Sequence, residues 1–330
     1  DDDDDPIVHD GTYKLVWSDE FDGSSLDLEM WTIEDNDNGG GNNELQYYCS
    51  RGVKVEDGNL VLTATKENYG GKTCTSGRIN SLAKVYFTYG RVEARIKMPS
   101  TANGLWPAFW MMGNDISSVG WPACGEIDIV EMGNVNGINA GTQDRYFNGA
   151  YHWGTSNNDH RQYAQDHTAS YSVQDGNYHI FACEWTADAI SMYLDGSKSP
   201  YCVMTIPASS DNSQPGYYFH KPHHILLNLA VGGNYPQIYN INNVTALSSG
   251  SASMYIDYVR VYQKGDTGET FTGKQTVVTG VEQTTTNREI LYEEYFDLQG
   301  RRMQALPQNG MVLRRTIFTD GSAKVEKLMR

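Results

Sequence analysis

The stretch SMYIDYVRVYQ, residues 253–263, alternates apolar and polar side chains and predicts a β-strand. The stretches NLVLTATK at 59–66 and GRVEARIKM at 90–98 alternate in the same way. HIFACEWTADAISMYLDG at 179–196 predicts two strands joined by a turn. Helical periodicity is scarce, and 33 glycines suit a chain with many turns. Together these patterns predict an all-β fold, a β-sandwich.

The composition predicts four segments along the chain. Residues 13–263 carry the strand patterns, and residues 264–289 are rich in Gly and Thr, which is typical of a linker. Residues 290–330 return to short strand patterns and predict a small β module near the lower size limit for independent stability. Residues 1–12 open with DDDDDP, which we expect to be a disordered leader at the start of the mature chain.

The charge of the protein bears on its partners. The formal net charge is −16, and the ten Lys or Arg and nine Asp or Glu from residue 264 onward leave −17 for the part before it. A nucleic-acid partner is not expected, because phosphate binding needs a basic surface. No apolar run approaches the roughly 18–20 residues of a membrane-spanning helix, so no membrane span is predicted. We expect a monomer that binds a neutral ligand.

The cysteines leave the redox state open. Their spacing contains no CxxC or Cys/His metal pattern, and their odd number leaves at least one unpaired. The five residues are Cys49, Cys74, Cys124, Cys183 and Cys202.

The stretch GEIDIVEMG, residues 125–133, places three carboxylates in an apolar segment. In a regular strand Glu126 and Asp128 share one face, whereas Glu131, five positions from Glu126, points to the other. A β-bulge around Ile129-Val130 would insert one residue into the alternation and return Glu131 to the face of the other two acids. A single acidic site therefore requires a bulge.

Three carboxyls on one strand face suit glycoside hydrolysis, in which one carboxyl attacks or activates water and another protonates the leaving oxygen. Close carboxylates raise one another's pKa values, which catalysis can use and a purely structural sheet has little reason to carry. Two alternatives remain open. One is a solvated edge strand, and the other is a calcium cluster, which is weaker because a strand presents its acids in a row.

Tryptophans precede the acids in NGLWPAFWMMGNDISSVGWPACGEID. Trp106 and Trp110 are four residues apart and should share one strand face, and Trp121 follows. Sugar rings stack on exposed aromatic side chains, although core packing explains any one tryptophan equally well. Because Pro107 and Pro122 limit ladder pairing, we expect a cleft wall here in preference to a central strand.

Two further segments carry polar groups of interest. GGGNNELQYYCS at 39–50 is a Gly/Asn-rich loop suited to contact sugar hydroxyls, and an ordinary surface loop is as plausible. His152 in NGAYHWG and Asn228 in LLNLAVGG interrupt apolar or aromatic strands. A histidine in such a place is more often structural than functional.

The ordered set GEIDIVEMGN, YGRVEARIKMP, GLWPAFWMMG, NNELQYY, FACEWTADAISMYLDG, LLNLAVGGNYP and YIDYVRVYQ resembles glycoside hydrolase family 16. Within that family it is most similar to the laminarinase-like endo-β-1,3(4)-glucanases, and the resemblance covers about Tyr13 to Gln263. It implies a β-jelly-roll sandwich of two curved antiparallel sheets with a glycan cleft on the concave face. It also implies retaining hydrolysis of a β-glucan polysaccharide.

The resemblance implies roles for individual residues. By motif position Glu126 is the nucleophile, Glu131 the general acid/base, and Asp128 an assistant that orients the pair. The bulged E-x-D-x-x-E form belongs to laminarinase-like, agarase and carrageenan-cleaving members. The unbulged E-x-D-x-E form marks plant-type transglycosylases and the narrow lichenases, which are therefore disfavoured. The implied substrate-binding residues are the aromatic side chains of Trp106, Trp110 and Trp121 and the polar side chains of Asn43, Glu44, Arg78 and His152.

No cofactor is implied for catalysis, but many family members hold a structural calcium ion away from the cleft. The resemblance implies Asp257 in YIDYVRVY as one ligand, with backbone oxygens near Glu20 and Gly58 completing the site. The alternative for Asp257 is a polar residue on a solvated strand face.

The carboxyl-terminal stretch YFDLQGRRM…PQNGMVLRRTIFTDGSAKVEKLMR resembles the sorting domains of Bacteroidetes proteins exported by the type IX route. It implies a secreted or cell-surface enzyme. Sequence alone leaves two other functions open: an agarase or carrageenase of the same family, and a glucan-binding module without catalysis. A sulfated galactan would favour a basic cleft, which this acidic domain does not suggest.

Overall fold

The structure is a computed structural model that describes residues 13–274, 290–296, 303, 311–318 and 323–329. The predicted leader, residues 1–12, lies outside the described residues. The chain divides into two compact units, and the first of them, Val8–Thr276, contains both large sheets. Within the described residues no helix is both long enough and apolar enough to cross a membrane.

Strands dominate the described residues. In chain order they are β1 Lys14–Asp19, β2 Thr32–Ile33, β3 Tyr47–Tyr48, β4 Val53–Glu56, β5 Asn59–Thr65, β6 Thr75–Ser76, β7 Arg78–Asn80, β8 Tyr86–Thr88, β9 Gly90–Lys97, β10 Leu105–Gly113, β11 Glu126–Met132, β12 Tyr146–Trp153, β13 Arg161–Thr168, β14 His179–Trp185, β15 Ala189–Leu194, β16 Cys202–Thr205, β17 His223–Val231, β18 Ser251–Gln263, β19 Thr270–Thr272, β20 Ile290–Phe296, β21 Met311–Phe318 and β22 Ala323–Met329.

Helices are few and short among these residues. The α-helices are α1 Ile116–Val119 and α2 Val135–Ala140, and the 3₁₀ turns are Gly39–Gly41, Ser50–Gly52, Asn157–Asp159, Pro215–Tyr217, Ile241–Asn243 and Thr245–Leu247.

Two sheets form the sandwich of the first unit. Sheet A has the order β16-β15-β14-β9-β18-β5-β6-β3, with β1 added on β18 and β4 on β5. Sheet B has the order β13-β12-β11-β10-β17-β7-β2, with β8 added on β17 and β19 on β8. Apart from the parallel pair β3–β6, the paired strands of both sheets are antiparallel. The prediction of an all-β sandwich is confirmed.

The core lies between the sheets and explains the alternation in the sequence. On β10, Leu105, Phe109 and Met111 are fully buried in the apolar core, whereas Trp106 and Trp110 are only half-buried on the other face. Burying such side chains stabilises a domain by roughly 1.5–3 kcal/mol each. The face of sheet B opposite the core is therefore the face left for a site.

The structure corrects the expectation that Pro107 would keep its segment out of a central strand. β10 pairs with β11 on one side and β17 on the other. Pro107 lies opposite Leu229, whose N–H donates away from β10 to the Gly77 carbonyl at 3.1 Å. Because the ladder with β11 begins only at Ala108, the N–H that proline lacks is not needed there.

The predicted linker, 264–289, includes a segment that forms a strand in the structure. Thr270–Thr272 form β19, which pairs with β8, and Phe271 packs against the core of the first unit. This aromatic residue lies in a Gly/Thr-rich context that suggested a linker. The rest of the predicted linker, residues 275–289, lies outside the described residues.

The carboxyl-terminal strands form a sheet of their own in the second unit. β20 pairs with β21, and β21 pairs with β22, both antiparallel. These strands fall within the segment for which a small β module was predicted.

Candidate active site

A bulge in β11 brings the three acids together on one face of sheet B. Asp128 lies opposite Ala150 and Glu131 opposite Asn148, so three steps along β11 match two steps along β12. The extra residue lets Ile129 and Val130 both enter the core while Glu131 returns to the face of Glu126. The predicted bulge is confirmed.

Glycines allow the sharp turns at both ends of β11. Gly125 and Gly133 have φ of +78° and +96°, a region that L side chains rarely adopt. A Cβ at position 133 would also stand 1.9 Å from the Leu105 carbonyl oxygen. The acidic strand is thus bounded by two positions that need glycine.

Two tryptophans hold the two outer acids. Trp106 Nε1 donates to Glu131 Oε1 at 3.0 Å, and Trp121 Nε1 donates to Glu126 Oε2 at 2.8 Å. Trp121 is 38% exposed, so its ring remains available to a ligand. Each of these side chains therefore combines an aromatic face with a donor that stabilises a carboxylate.

Trp110 has a different partner. It lies opposite Asp128 in the sheet, but its Nε1 donates to Asn228 Oδ1 at 2.7 Å. The Arg78 guanidinium lies 4.8 Å from the centre of the Trp110 ring and pairs with Glu34 at 2.9 Å. The sheet face beside the acids is thus built from an arginine stacked on an indole.

His152 connects the acids to the neighbouring strand. It lies opposite Glu126 on β12, and its Nε2 is 3.2 Å from Asp128 Oδ2 and 4.0 Å from Glu126 Oε1. Its Nδ1 is 2.8 Å from His160 Nε2. Ligand atoms of Glu126, Asp128 and His152 all lie within 4.8 Å of one another, which makes this a dense ionisable cluster.

Tyr235 and Asn148 belong to the site, although the sequence analysis did not single them out. The Tyr235 ring stacks on Trp106 with centroids 4.7 Å apart, and its one hydroxyl hydrogen is shared between the Glu131 carbonyl, at 3.1 Å, and Asn148 Oδ1. Asn148 in turn hydrogen-bonds the Glu131 carboxyl. The signal for Tyr235 was its place in the GGNYP segment directly after β17.

Burial changes the acidity of all three carboxyls. Burial raises the pKa of Glu126 to about 8, with a contribution from Asp128, while His152 and the Trp121 donor oppose the rise. Burial raises the pKa of Glu131 to about 7, and His152 and the Trp106 donor oppose it. Burial and the Glu131 charge raise the pKa of Asp128 well above its ordinary value. The cluster therefore retains protons near neutral pH.

The predicted loop residues occupy different positions. Glu44 is buried and accepts hydrogen bonds from Gln46 Nε2 at 2.6 Å and the Tyr48 hydroxyl at 3.1 Å. Asn43 is exposed, and its Nδ2 donates to Asn234 Oδ1 at 2.9 Å. Asn43 thus joins its loop to the segment that carries Tyr235, whereas Glu44 is engaged inside the protein.

The residues implied for calcium lie away from the acids. Asp257 on β18 of sheet A pairs with Arg95 at 2.7 Å, and the Glu20 carboxylate pairs with Arg260 at 2.9 Å. Gly58 connects β4 to β5 with φ +70°. Because an arginine already neutralises the Asp257 carboxylate, these residues do not fit a calcium site that depends on its charge. The calcium ion stays a prediction.

The geometry defines a class of protein. Acids on one sheet face, each outer one bonded to an indole donor, and exposed aromatic surface beside them match the two-carboxylate chemistry of a glycoside hydrolase. A family model described as "Beta-porphyranase A-D, GH16 domain" matches residues 14–264. The chain belongs to glycoside hydrolase family 16.

Known relatives share this unit. A mixed linkage glucan GH16 protein from Bacteroides ovatus, solved in complex with a product, is 41% identical over 74% of this chain and 99% of its own, with a TM-score of 0.67. The Beta-glucanase of Rhodothermus marinus is 34% identical over 76% of this chain and 85% of its own length. The Clotting factor G alpha subunit of Tachypleus tridentatus is 35% identical over 78% of this chain, which spans only 35% of that relative.

Proposed function

We propose that the protein is a retaining endo-β-glucanase that hydrolyses internal linkages of β-1,3-1,4 mixed-linkage glucan, β-1,3-glucan or both. The observation that carries this proposal is the placement of Glu126 and Glu131 on one sheet face, each with an indole donor. The relatives whose names refer to glucan or glucanase support the substrate class.

The reaction would use two displacements. The reacting form of the pair holds one proton, on Glu131, and a carboxylate on Glu126, which the Trp121 donor and His152 favour against burial. The Glu126 carboxylate attacks the anomeric carbon as the glycosidic C–O bond breaks, and Glu131 gives its proton to the departing oxygen. A glycosyl ester on Glu126 results. Glu131, now ionised, takes a proton from water, the water oxygen attacks the anomeric carbon, and Glu126 leaves as a carboxylate. The product keeps the β configuration.

Residues around the acids support these steps. Trp121 stabilises the ionised form of Glu126, and His152 Nε2 lies 4.0 Å from Glu126 Oε1 and 3.2 Å from Asp128 Oδ2. On the other side Trp106, Asn148 and the Tyr235 hydroxyl orient Glu131 and its backbone. Fixed donors of this kind stabilise charge in the transition state without reorganisation.

A side-by-side product profile tests the proposal. Purified protein is incubated with laminarin, lichenan, barley β-glucan, agarose and porphyran, and reducing ends are followed together with the anomeric proton signals of the first products. We expect oligosaccharides from one or more of the three glucans, released first as the β-anomer. Release of the α-anomer would contradict the retaining mechanism.

A galactan-cleaving enzyme is the second candidate, because the matching family model is described as a porphyranase. The charge of −17 before residue 264 disfavours a sulfated substrate. Products from agarose or porphyran alone would favour this candidate. Binding to laminarin without new reducing ends would favour a non-catalytic module, against which the complete set of three acids argues.

We also propose that residues 290–330 act as a type IX sorting module and that the enzyme works outside the cell as a monomer. The Y-F-D-L-x-G-R segment and the basic end of the chain support export by this route. The test expresses the full chain and a version ending at residue 274 in a Bacteroidetes host. Equal amounts of the full chain and of the shortened version outside the cell would contradict the sorting role. Size-exclusion chromatography of the purified protein tests the proposal that it is a monomer.

A further inference from the structure

We infer that His160 is a positioning residue that supports two groups at once, His152 and Trp121, which contact the acids Asp128 and Glu126. This inference rests on the proposed function, since it concerns how the same site is held. His160 follows the short turn Asn157–Asp159 and lies outside β11, the strand that carries the acids.

The first contact of His160 fixes the ring of His152. His160 Nε2 lies 2.8 Å from His152 Nδ1, while the opposite nitrogen of His152 faces Asp128 Oδ2 at 3.2 Å. A hydrogen bond at one imidazole nitrogen sets the orientation and the tautomer of the ring. His160 therefore controls which form of His152 the Asp128 carboxylate meets.

The second contact supports Trp121. The His160 and Trp121 rings lie 4.7 Å apart between centroids, and Trp121 is the donor to Glu126 Oε2 at 2.8 Å. Trp121 lies in the loop before β11 and is 38% exposed, so it needs a neighbour to hold its ring. The His160 ring, tilted by 44° to the indole, supplies one.

The loop that carries His160, residues 154–160, is itself fixed. The Asp159 carboxylate accepts from the Thr155 N–H at 3.1 Å and hydroxyl at 2.9 Å, and it pairs with Arg161 at 2.7 Å. Gly154 has φ +141°, and a Cβ there would stand 2.2 Å from the Asp159 carbonyl oxygen. A tightly closed loop is what a positioning role requires.

The test uses His160→Phe, which keeps an aromatic ring against Trp121 and removes both nitrogens. His160→Gln is the conservative variant, because its amide can still meet His152 Nδ1. His220→Phe is the matched control, since His220 is another half-buried histidine that forms one hydrogen bond, to Tyr89, outside the acidic cluster. Thermal unfolding of each variant confirms folding.

Two readouts are compared in the full-length protein. Nitrogen-15 NMR of the imidazoles reports the tautomer of His152, and initial rates on the best glucan give kcat and KM separately. We expect His160→Phe to shift the His152 nitrogen signals and to lower kcat by roughly 10- to 100-fold with little change in KM. His160→Gln should recover part of kcat, and His220→Phe should behave as the wild type.

Three results would overturn the inference. One is wild-type kcat with unchanged His152 signals in His160→Phe. Another is a lower kcat with unchanged His152 signals, because the effect would then not pass through His152. A third is a shifted His152 signal with unchanged kcat. Failure of the wild type to cleave any glucan would count against the proposed function instead. The NMR comparison of the wild type with His160→Phe would still show whether His160 sets the tautomer of His152.

Discussion

Trp106 donates its indole N–H to Glu131, with Nε1 and Oε1 3.0 Å apart. A donor of this kind favours the ionised carboxylate, whereas the burial of Glu131 favours the protonated acid. The proton on Glu131 is therefore held by a balance between a neighbouring hydrogen bond and desolvation, and altering either one should change the pH at which the proton is lost.

We predict that Trp106→Phe moves the alkaline limb of the pH–kcat/KM profile upward, by roughly half a unit to one unit. The loss of the donor disfavours the Glu131 carboxylate, so the acid keeps its proton to higher pH. Trp110→Phe is the control, because it removes an indole donor that serves the neutral Asn228. An unmoved or lowered alkaline limb in Trp106→Phe would refute this account.

Azide should separate the roles of the two glutamates. Glu131→Ala should lower glucan hydrolysis by roughly 10²- to 10⁴-fold, yet still form the glycosyl ester from an aryl glycoside. Azide then attacks that ester and gives the β-glycosyl azide. In Glu126→Ala azide replaces the missing nucleophile and gives the α-glycosyl azide. NMR identifies the anomer, and the opposite assignment of products would exchange the two roles.

Glu126→Gln should make the protein more stable, and increasingly so between pH 5 and pH 8. Unfolded Glu126 ionises near pH 4.5, whereas the folded protein keeps this proton up to about pH 8. The unfolded state binds fewer protons in this window, so the wild type loses stability as the pH rises. Glu126→Gln removes the ionisable carboxyl, so the variant does not lose this part of its free energy of unfolding. We expect the loss in the wild type to reach roughly 1–3 kcal/mol by pH 8.

Denaturant unfolding at pH 5, 6.5 and 8 measures this difference. Glu29→Gln serves as the control, since the Glu29 side chain is 73% exposed on the surface. A stability gain of Glu126→Gln that stays constant from pH 5 to pH 8 would show that burial does not hold the proton on this carboxyl.

The five cysteines should be unreactive in the native protein. All five are free thiols and buried, and burial raises the pKa of Cys74 and Cys124 to about 12. A thiol reagent at pH 8 should therefore modify almost nothing before unfolding and five groups after denaturation. Rapid reaction of one or more thiols in the folded protein would contradict this placement.

Sequence patterns predicted the strands, the sandwich and the bulge well, because alternation and the odd spacing of Glu126 and Glu131 are local signals. The prediction that Pro107 would keep its segment out of a central strand was wrong. Whether a strand accepts a proline depends on where its hydrogen-bonded pairing with the neighbouring strand begins. The sequence patterns also overlooked β19, whose Phe271 packs on the core from a Gly/Thr-rich segment.

The contacts within the site were harder to predict from the sequence. Tyr235, Asn148 and His160 come from three separate segments, and only the folded sheets bring them beside the acids. Glu44 is buried and its carboxylate accepts a hydrogen bond from the Tyr48 hydroxyl, and its contact with substrate stays a prediction. Such partners depend on tertiary packing, which periodicity does not report.

The extra residue in β11 also has a genetic consequence. In a regular strand, loss of one codon reverses the orientation of every side chain beyond it. Here the deletion of Ile129 would instead restore strict alternation, and Glu126, Asp128 and the shifted Glu131 would still share one face. A single in-frame deletion would therefore convert the E-x-D-x-x-E spacing into E-x-D-x-E while all three acids stay on one face of the sheet. This change between two forms of the active site needs no compensating substitution among the acids.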